Sequence, residues 1–160
     1  MHNYQIYSEY LLKWYGANKR FLPWRTTNDP YKIWLSEIIL QQTRVAQGLD
    51  YYNRFVTRFP SLELLAVAPL EDVLKLWQGL GYYSRARNMH RAAQYIYNIL
   101  QNEFPRSYDA LLKLPGVGPY TAAAVASIAF NEVVAAVDGN VIRVLARLFN
   151  MNKPVDSTLV

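Results

Sequence analysis

The stretch from Pro30 through Tyr31-Lys32-Ile33-Trp34-Leu35-Ser36-Glu37-Ile38-Ile39-Leu40-Gln41-Gln42 to Thr43 constrains this chain more than any other. Asp29 precedes it as a helix N-cap, and Pro30 falls in the first turn, where a missing N–H costs nothing. Wound as a helix to about Thr43, the segment is apolar nearly all round, through Ile33, Trp34, Leu35, Ile38, Ile39 and Leu40. Such a helix belongs at the centre of a fold, with other elements packed on most sides. Its interior polar residues, Lys32, Ser36, Glu37 and Gln41, form one narrow band.

The surrounding elements are helical as well. Ile6, Tyr7, Tyr10, Leu11 and Trp14 recur at three- and four-residue steps, a first amphipathic helix that Gly16 is expected to end. Val45, Leu49, Tyr52 and Val56 make a helix stopped at Phe59-Pro60, followed by two short helices started by Ser61 and Pro69. Gly79-Leu80-Gly81-Tyr82-Tyr83 is a turn, because two glycines two apart interrupt a helix. The stripe Ala86, Met89, Ala93, Ile96 and Leu100 runs toward Phe104-Pro105, and Ser107 caps a short helix. Leu114-Pro115-Gly116-Val117-Gly118 then leads into an alanine-rich helix from Pro119 to Phe130, and a last helix spans Asn140 to Asn150. No segment shows strand alternation bounded by hairpin turns. The expectation is an all-α chain of roughly ten short helices, without internal repeats.

Apolar residues make up 52% of the 160, ample for a core, and charged residues only 18%. The net charge of +5 suits a polyanionic partner, and 13 Tyr, 6 Phe and 4 Trp serve packing and base stacking alike. With no cysteine in the chain, a disulfide framework, a thiol nucleophile and cysteine-ligated metal are excluded within it. The start, Met1 to Ile6, has neither the basic nor the apolar region of a signal peptide, and the longest largely apolar run, Ala122 to Phe130, is far short of the roughly 20 residues of a membrane span. A soluble, cytoplasmic protein is expected, with no membrane association. The stretch from Asn152 through Pro154 to Val160 reads as the cut end of a longer chain.

Several residues invite a chemical reading beside a structural one. Glu37 lies among large apolar neighbours, where desolvation raises a carboxyl toward the value a general acid needs near neutrality. Equally, it stacks with Gln41 on a solvated stripe. Gly116 and Gly118 leave bare N–H groups at the positive end of the helix from Pro119, suited to a phosphate oxygen or simply to a tight interhelical turn. Asp138 and Asn140 suit helix capping, or, for Asp138, a carboxylate that meets developing positive charge. Gln41, Gln42 and Thr43 place amides at a helix end within reach of base edges, Tyr82 on its glycine turn can wedge into a stack, and Arg85 and Arg87 suit phosphates. His2 and His90 are isolated.

In combination, Leu22-Pro23-Trp24-Arg25, the Pro30 to Thr43 segment, Gly79 to Arg87, the hairpin from Leu114 to Ala122 and Val137 to Val144 resemble the helix-hairpin-helix base-excision glycosylases, specifically the MutY-type adenine DNA glycosylases. Glutamate followed within the same helix by Leu40-Gln41-Gln42-Thr43, joined to Gly79-Leu80-Gly81-Tyr82-Tyr83, is the specific part, and the similarity runs from about Trp14 to about Leu148. It favours the chemical reading of Glu37 and Asp138.

The resemblance implies roles by position. Glu37 would protonate the departing adenine, at N7, and Asp138 would stabilise the oxocarbenium-like sugar or form a transient covalent adduct. Tyr120 and Asn140 would line the site and orient sugar, carboxylate and water. Gln42 and Tyr82 would wedge the duplex beside 8-oxoguanine while adenine flips out. Arg25, Gln41, Thr43, Leu80, Arg85, Arg87, Gly116, Val117 and Gly118 complete the implied DNA surface, with a monovalent cation on the hairpin's backbone carbonyls. The implied partner is double-stranded DNA with A:8-oxoguanine or A:G mispairs, bound by a monomer at the nucleoid.

The implied organisation is a six-helix domain at 21–132 with the hairpin at about 108–130. Residues 1–20 and 133–160 would begin a second helical domain, which in the full-length family carries a [4Fe–4S] cluster on cysteines this chain lacks. Many members add a Nudix-like domain. Two alternatives remain. An endonuclease-III-like glycosylase with lyase activity would need a lysine amine where this chain has Tyr120. A non-catalytic helix-hairpin-helix DNA-binding module would have no use for two carboxylates facing phosphates.

Overall fold

Helix α2 (Pro30–Leu40) is the central element of the computed structural model, which describes residues 4–151. Its N-terminus forms as the sequence dictates: Asp29 Oδ1 accepts from the N–H of Tyr31 at 3.0 Å and of Lys32 at 3.5 Å, ahead of a proline that has no N–H to satisfy. Tyr31, Ile33, Trp34, Leu35, Ile38 and Ile39 are all buried. Each large apolar side chain taken out of water in this way contributes roughly 1.5–3 kcal/mol. Ser36 is buried too, and its hydroxyl donates back to the Ile33 carbonyl at 2.7 Å.

Around α2 stand α3 (Val45–Arg58), α6 (Ser84–Asn98) and α8 (Pro119–Phe130), with a 3₁₀ turn at Pro23–Arg25 closing its remaining side. Between α3 and α6 come α4 (Leu62–Val67), capped by Ser61, and α5 (Leu70–Trp77); α7 (Tyr108–Leu111), capped by Ser107, packs on α8. Ala122, Ala123, Ala124 and Ala126 are buried, and side chains this small let α8 lie close against α2. A buried hydrogen bond from the Tyr31 hydroxyl to the Phe59 carbonyl, 2.7 Å, ties the start of α2 to the end of α3. Among the described residues every regular element is helical, as expected, and no helix is long and apolar enough to cross a membrane.

Two further helices lie at the margin of this core, α1 (Tyr4–Asn18) and α9 (Gly139–Leu148). The α1 stripe of Ile6, Tyr7, Tyr10, Leu11 and Trp14 is exposed, as are Val141, Val144, Leu145 and Leu148 of α9. The two meet where Tyr7 packs edge-on against Phe149, ring centroids 6.1 Å apart.

Several boundaries differ from expectation, each for a local reason. Helix α1 continues past Gly16 to Asn18, since one exposed glycine weakens a helix by about 1 kcal/mol without ending it. Helix α2 stops at Leu40, short of Thr43, because Gln42 turns to a φ of 55°. Helix α6 ends at Asn98, before Phe104-Pro105; Gln101 and Asn102 adopt left-handed backbone and the Asn102 N–H closes onto the Ile96 carbonyl at 3.0 Å. The last helix is Gly139–Leu148 in place of Asn140 to Asn150, its start set by the Asp138 cap. His90 is buried with its Nε2 2.9 Å from the Ala68 carbonyl; His2 and the stretch with Pro154 lie outside the described residues.

Candidate active site

Ile33, Ser36, Glu37, Leu40 and Gln41 recur at steps of three and four, so they share one face of α2. That face forms a wall of a cavity of about 690 Å³. Tyr120 and Ile128 of α8 stand across from it, Asp138 and Asn140 enter from the start of α9, and Tyr15, Arg20, Leu22, Trp24 and Arg25 also line it. A larger groove of about 930 Å³ runs between Tyr95, Ile99, Phe104 and Phe130, but Glu103 is its one carboxylate. The paired acids belong to the smaller cavity.

Glu37 is half-buried on that wall, and burial alone pushes its pKa up to about 7. No cation or hydrogen-bond donor among the described residues pairs with it. Gln41, one turn on, donates to Thr121 Oγ1 at 3.3 Å across to α8, so the polar band faces a cavity and another helix, not open solvent.

Asp138 is held the opposite way. Its Oδ1 accepts from the N–H groups of Asn140 (3.0 Å) and Val141 (2.8 Å), and its Oδ2 accepts from Asn140 Nδ2 (3.0 Å). The Val141 N–H is the largest cause of a pKa below the ordinary aspartate value, with the Asn140 donors adding to it. Arg143 donates in turn to Asn140 Oδ1 at 3.2 Å, orienting the amide. Capping and a persistent negative charge are therefore properties of one carboxylate. The Tyr120 phenol, 40% exposed at the head of α8, is raised by burial first and then by the charges of Glu37 and Asp138, which puts all three within electrostatic reach. One acid that titrates near neutrality and one held ionised share this cavity, the arrangement that separates acid from anion in glycoside chemistry.

Two glycine turns carry the remaining candidates, one before α8 and one before α6. In the hairpin the Val117 N–H donates to the Leu114 carbonyl at 3.1 Å, Gly116 takes a φ of +74°, and no side chain caps α8. In the second turn Gly79 and Gly81 adopt φ of +98° and +69°, and Tyr82, 66% exposed, stands on it at a φ of +44°.

Residues 35–158 match the family described as HhH-GPD superfamily base excision DNA repair protein. The chain belongs to that superfamily. Among curated relatives it is 43% identical over 148 residues to the adenine DNA glycosylase of Buchnera aphidicola subsp. Baizongia pistaciae, covering 92% of this chain and 42% of that protein. It is 47% identical to the mouse adenine DNA glycosylase, covering 94% and 31%, and 45% identical to the human one, covering 94% and 29%. The chain thus spans less than half of the length of these relatives. Among solved structures it superimposes on a thermostable thymine-DNA glycosylase with a TM-score of 0.82 at 32% identity, covering 88% of this chain and 65% of that one. A trapped endonuclease III–DNA covalent intermediate gives 0.79 at 27% identity, covering 93% and 70%.

For this HhH-GPD chain, the cavity gathers Glu37, Gln41, Gln42, Tyr120, Asp138, Asn140 and Arg25 from the expected set. Thr43, Leu80, Tyr82, Arg85, Arg87, Gly116, Val117 and Gly118 lie outside it. Gln42, Arg87, Gly116 and Gly118 are exposed, as a contact surface requires. Three of the expected DNA contacts have side chains turned into the protein. Leu80 and Val117 are only 8% and 7% exposed, their side chains anchoring the two turns in the core. Arg85 points inward: both terminal nitrogens are engaged by carbonyls of the protein itself. Sequence reasoning missed Tyr15, Arg20, Ile33 and Leu40 as cavity residues. The last two were findable from their spacing with Glu37; nothing in the local pattern marks Tyr15 or Arg20. As for the cluster of the longer family members, a chain without cysteine has no thiolates for it, and among the described residues no group of three His, Asp or Glu stands in. The residues present do not fit that cofactor.

Proposed function

We propose that this chain is the catalytic part of an enzyme that hydrolyses the N-glycosidic bond of adenine mispaired with 8-oxoguanine or guanine in double-stranded DNA. The observation that carries this reading is the pair of carboxylates in one cavity with oppositely displaced pKa values, Glu37 upward to about 7 and Asp138 downward. Adenine leaves poorly as an anion. Glu37, titrating near neutrality, delivers its proton to N7 of the flipped base, so the base departs neutral. The sugar left behind is oxocarbenium-like, and the Asp138 carboxylate stabilises it or adds to it in a bond that water later opens. Asn140 fixes the orientation of Asp138, and Tyr120 orients sugar and water between the two acids.

Gln42 and Tyr82 enter the base stack while adenine is extruded, which their exposure on two tight turns supports. Arg25, Arg87, Gly116 and Gly118 meet phosphates. The Leu114 and Gly118 carbonyls each accept one backbone N–H and keep a second lone pair, suiting a monovalent cation there. Residues 21–132 form the six-helix domain. Residues 1–20 and 133–160 begin a second helical domain, which the exposed apolar stripes of α1 and α9 support. The enzyme acts on DNA as a monomer at the nucleoid, in the cytoplasm.

Among the described residues no lysine lines the cavity, which favours simple hydrolysis over the lyase chemistry of an endonuclease-III-like enzyme. The test is single-turnover adenine release from an A:8-oxoguanine duplex by the full-length protein. Glu37→Gln abolishes release and keeps duplex binding, because an amide has no proton to give; excision near the wild-type rate refutes the assignment.

A further inference from the structure

Gln42 and Tyr82 share an uncommon backbone state, φ of 55° and 44° in residues that are not glycine. They sit on separate turns, one after α2 and one before α6. Left-handed backbone at such residues persists only where the surroundings over-determine it. One side chain hydrogen-bonds to both turns.

The guanidinium of Arg85 lies between them. Its Nη1 donates to the carbonyls of Ile38 (3.3 Å), Ile39 (3.1 Å) and Gln41 and approaches Thr43 Oγ1 at 3.4 Å; its Nη2 donates to the carbonyls of Leu80 (3.2 Å) and Gly81 (3.4 Å). The Ile38 and Ile39 carbonyls lie in the last turn of α2, without a partner within the helix and at its negative end, and the Gln41 carbonyl belongs to its C-cap. The Leu80 and Gly81 carbonyls belong to the glycine turn under Tyr82. The guanidinium also lies 5.0 Å from the Trp77 ring centroid and 5.7 Å from that of Tyr82. The rest of the turn is fixed from α3 and α5: the Tyr51 hydroxyl donates to the Gln78 carbonyl at 2.7 Å, Gln47 Nε2 to Gly79 at 3.4 Å, and Trp77 Nε1 to Gly81 at 2.9 Å. Four successive carbonyls of the turn are thereby held, and among the described residues the Arg85 hydrogen bonds join the turn to the end of α2.

We propose that Arg85 is a positioning residue that locks Gln42 and Tyr82 into a single preformed two-pronged wedge, so that duplex binding does not have to order either turn. The inference rests on the reading that these two residues enter the duplex. A planar fork with donors on two nitrogens can serve both turns at once; a lysine ammonium is a point charge and cannot span them. Arg85→Lys therefore keeps the charge and loses the coupling.

The test uses the full-length protein and a mispair duplex carrying 2-aminopurine beside the mispair, whose fluorescence rises when the stack opens. Arg85→Lys is expected to lower affinity about tenfold and to reduce the fluorescence rise to that of the Gln42→Ala/Tyr82→Ala protein. Added to that double variant, it should change affinity less than about twofold, because it acts through residues already removed. Arg85→Gln, which deletes the charge, should leave the salt dependence of binding unchanged. Each of these results overturns the proposal: losses that multiply in both backgrounds, a log–log salt slope that falls by about 0.9, as for one lost phosphate contact, or a wild-type signal from Arg85→Lys. A wild-type signal from the double variant removes the wedge and the proposal with it. Absent adenine release with the signal intact removes the glycosylase reading and leaves the positioning role standing. Should Arg85→Gln lack wild-type helical content, Arg85→Lys carries the comparison, and a wild-type signal from it overturns the proposal.

Discussion

Titration of Glu37 links stability and activity through one group. An ordinary glutamate titrates near 4.5, and burial on the cavity wall moves this one to about 7. That difference is worth about 3 kcal/mol between the two protonation states. The sign follows from proton binding: between 4.5 and 7 the folded protein holds a proton that the unfolded chain has released, so raising the pH favours unfolding. The contribution is fully present below pH 4.5 and is lost as pH rises through about 7. Glu37→Gln has no such proton. Its stability relative to wild type should therefore improve by about 3 kcal/mol from pH 4.5 to pH 8, or roughly 6–12 °C in Tm for a domain of this size. Thermal melts of both proteins across that range measure it. Adenine release by the wild type should follow the same group, level below pH 7 and falling about tenfold per pH unit above it. A stability difference that stays constant with pH refutes the desolvation argument, because Glu37 would then titrate as an exposed carboxyl.

Other expectations separate structural from chemical roles. Asp138→Asn keeps an N-cap of similar quality, so Tm should change little while adenine release is lost; a large drop in Tm would make the carboxylate chiefly structural. Tyr120→Lys places an amine at the head of α8, and borohydride trapping with strand nicking should appear in the variant and be weak in wild type; efficient trapping by the wild type would mean another lysine reaches the sugar. Gly116→Ala meets both a φ of +74° and the Asn88 Cβ at 2.5 Å, and should cost about 1–3 kcal/mol in urea melts and weaken binding to any duplex alike.

The fold was legible because its signals were redundant. Asp29-Pro30, Ser61, Ser107 and Gly118-Pro119 each marked a helix start, and an apolar run on all faces marked the helix that had to be central. Helix ends were less legible. They depend on single left-handed residues such as Gln42 and Asn102, whose composition does not announce them, and on a solitary Gly16 that a helix can absorb. Glu37 was ambiguous for a related reason: its neighbours suggested desolvation, but whether its stripe met solvent or α8 depended on contacts 80 residues away, those of Gln41 with Thr121.

Arg85 marks where residue type misleads most. An arginine after a glycine turn in a basic chain reads as a phosphate contact, and the same five N–H donors that suit phosphate also suit a fan of backbone carbonyls. What decides between them is the shape of the helix end beneath. Helix α2 ends at Leu40, whose carbonyl the Thr43 N–H takes at 3.1 Å, while the Ile38 and Ile39 carbonyls are met by the Arg85 guanidinium. The left-handed Gln42 both exposes its own side chain and creates the carbonyl cluster that draws Arg85 inward. The proposed Gln42 prong and its support are therefore consequences of one chain reversal. Substituting Gln42 by glycine relaxes the backbone and removes the side chain together, whereas alanine removes the side chain and retains the strain. Comparing Gln42→Ala with Gln42→Gly thus isolates the backbone's part. If Arg85 holds the turn against that strain, the glycine variant should make Arg85→Lys less costly to stability than it is beside alanine. Equal costs in the two backgrounds would mean that the turn keeps its form without the guanidinium.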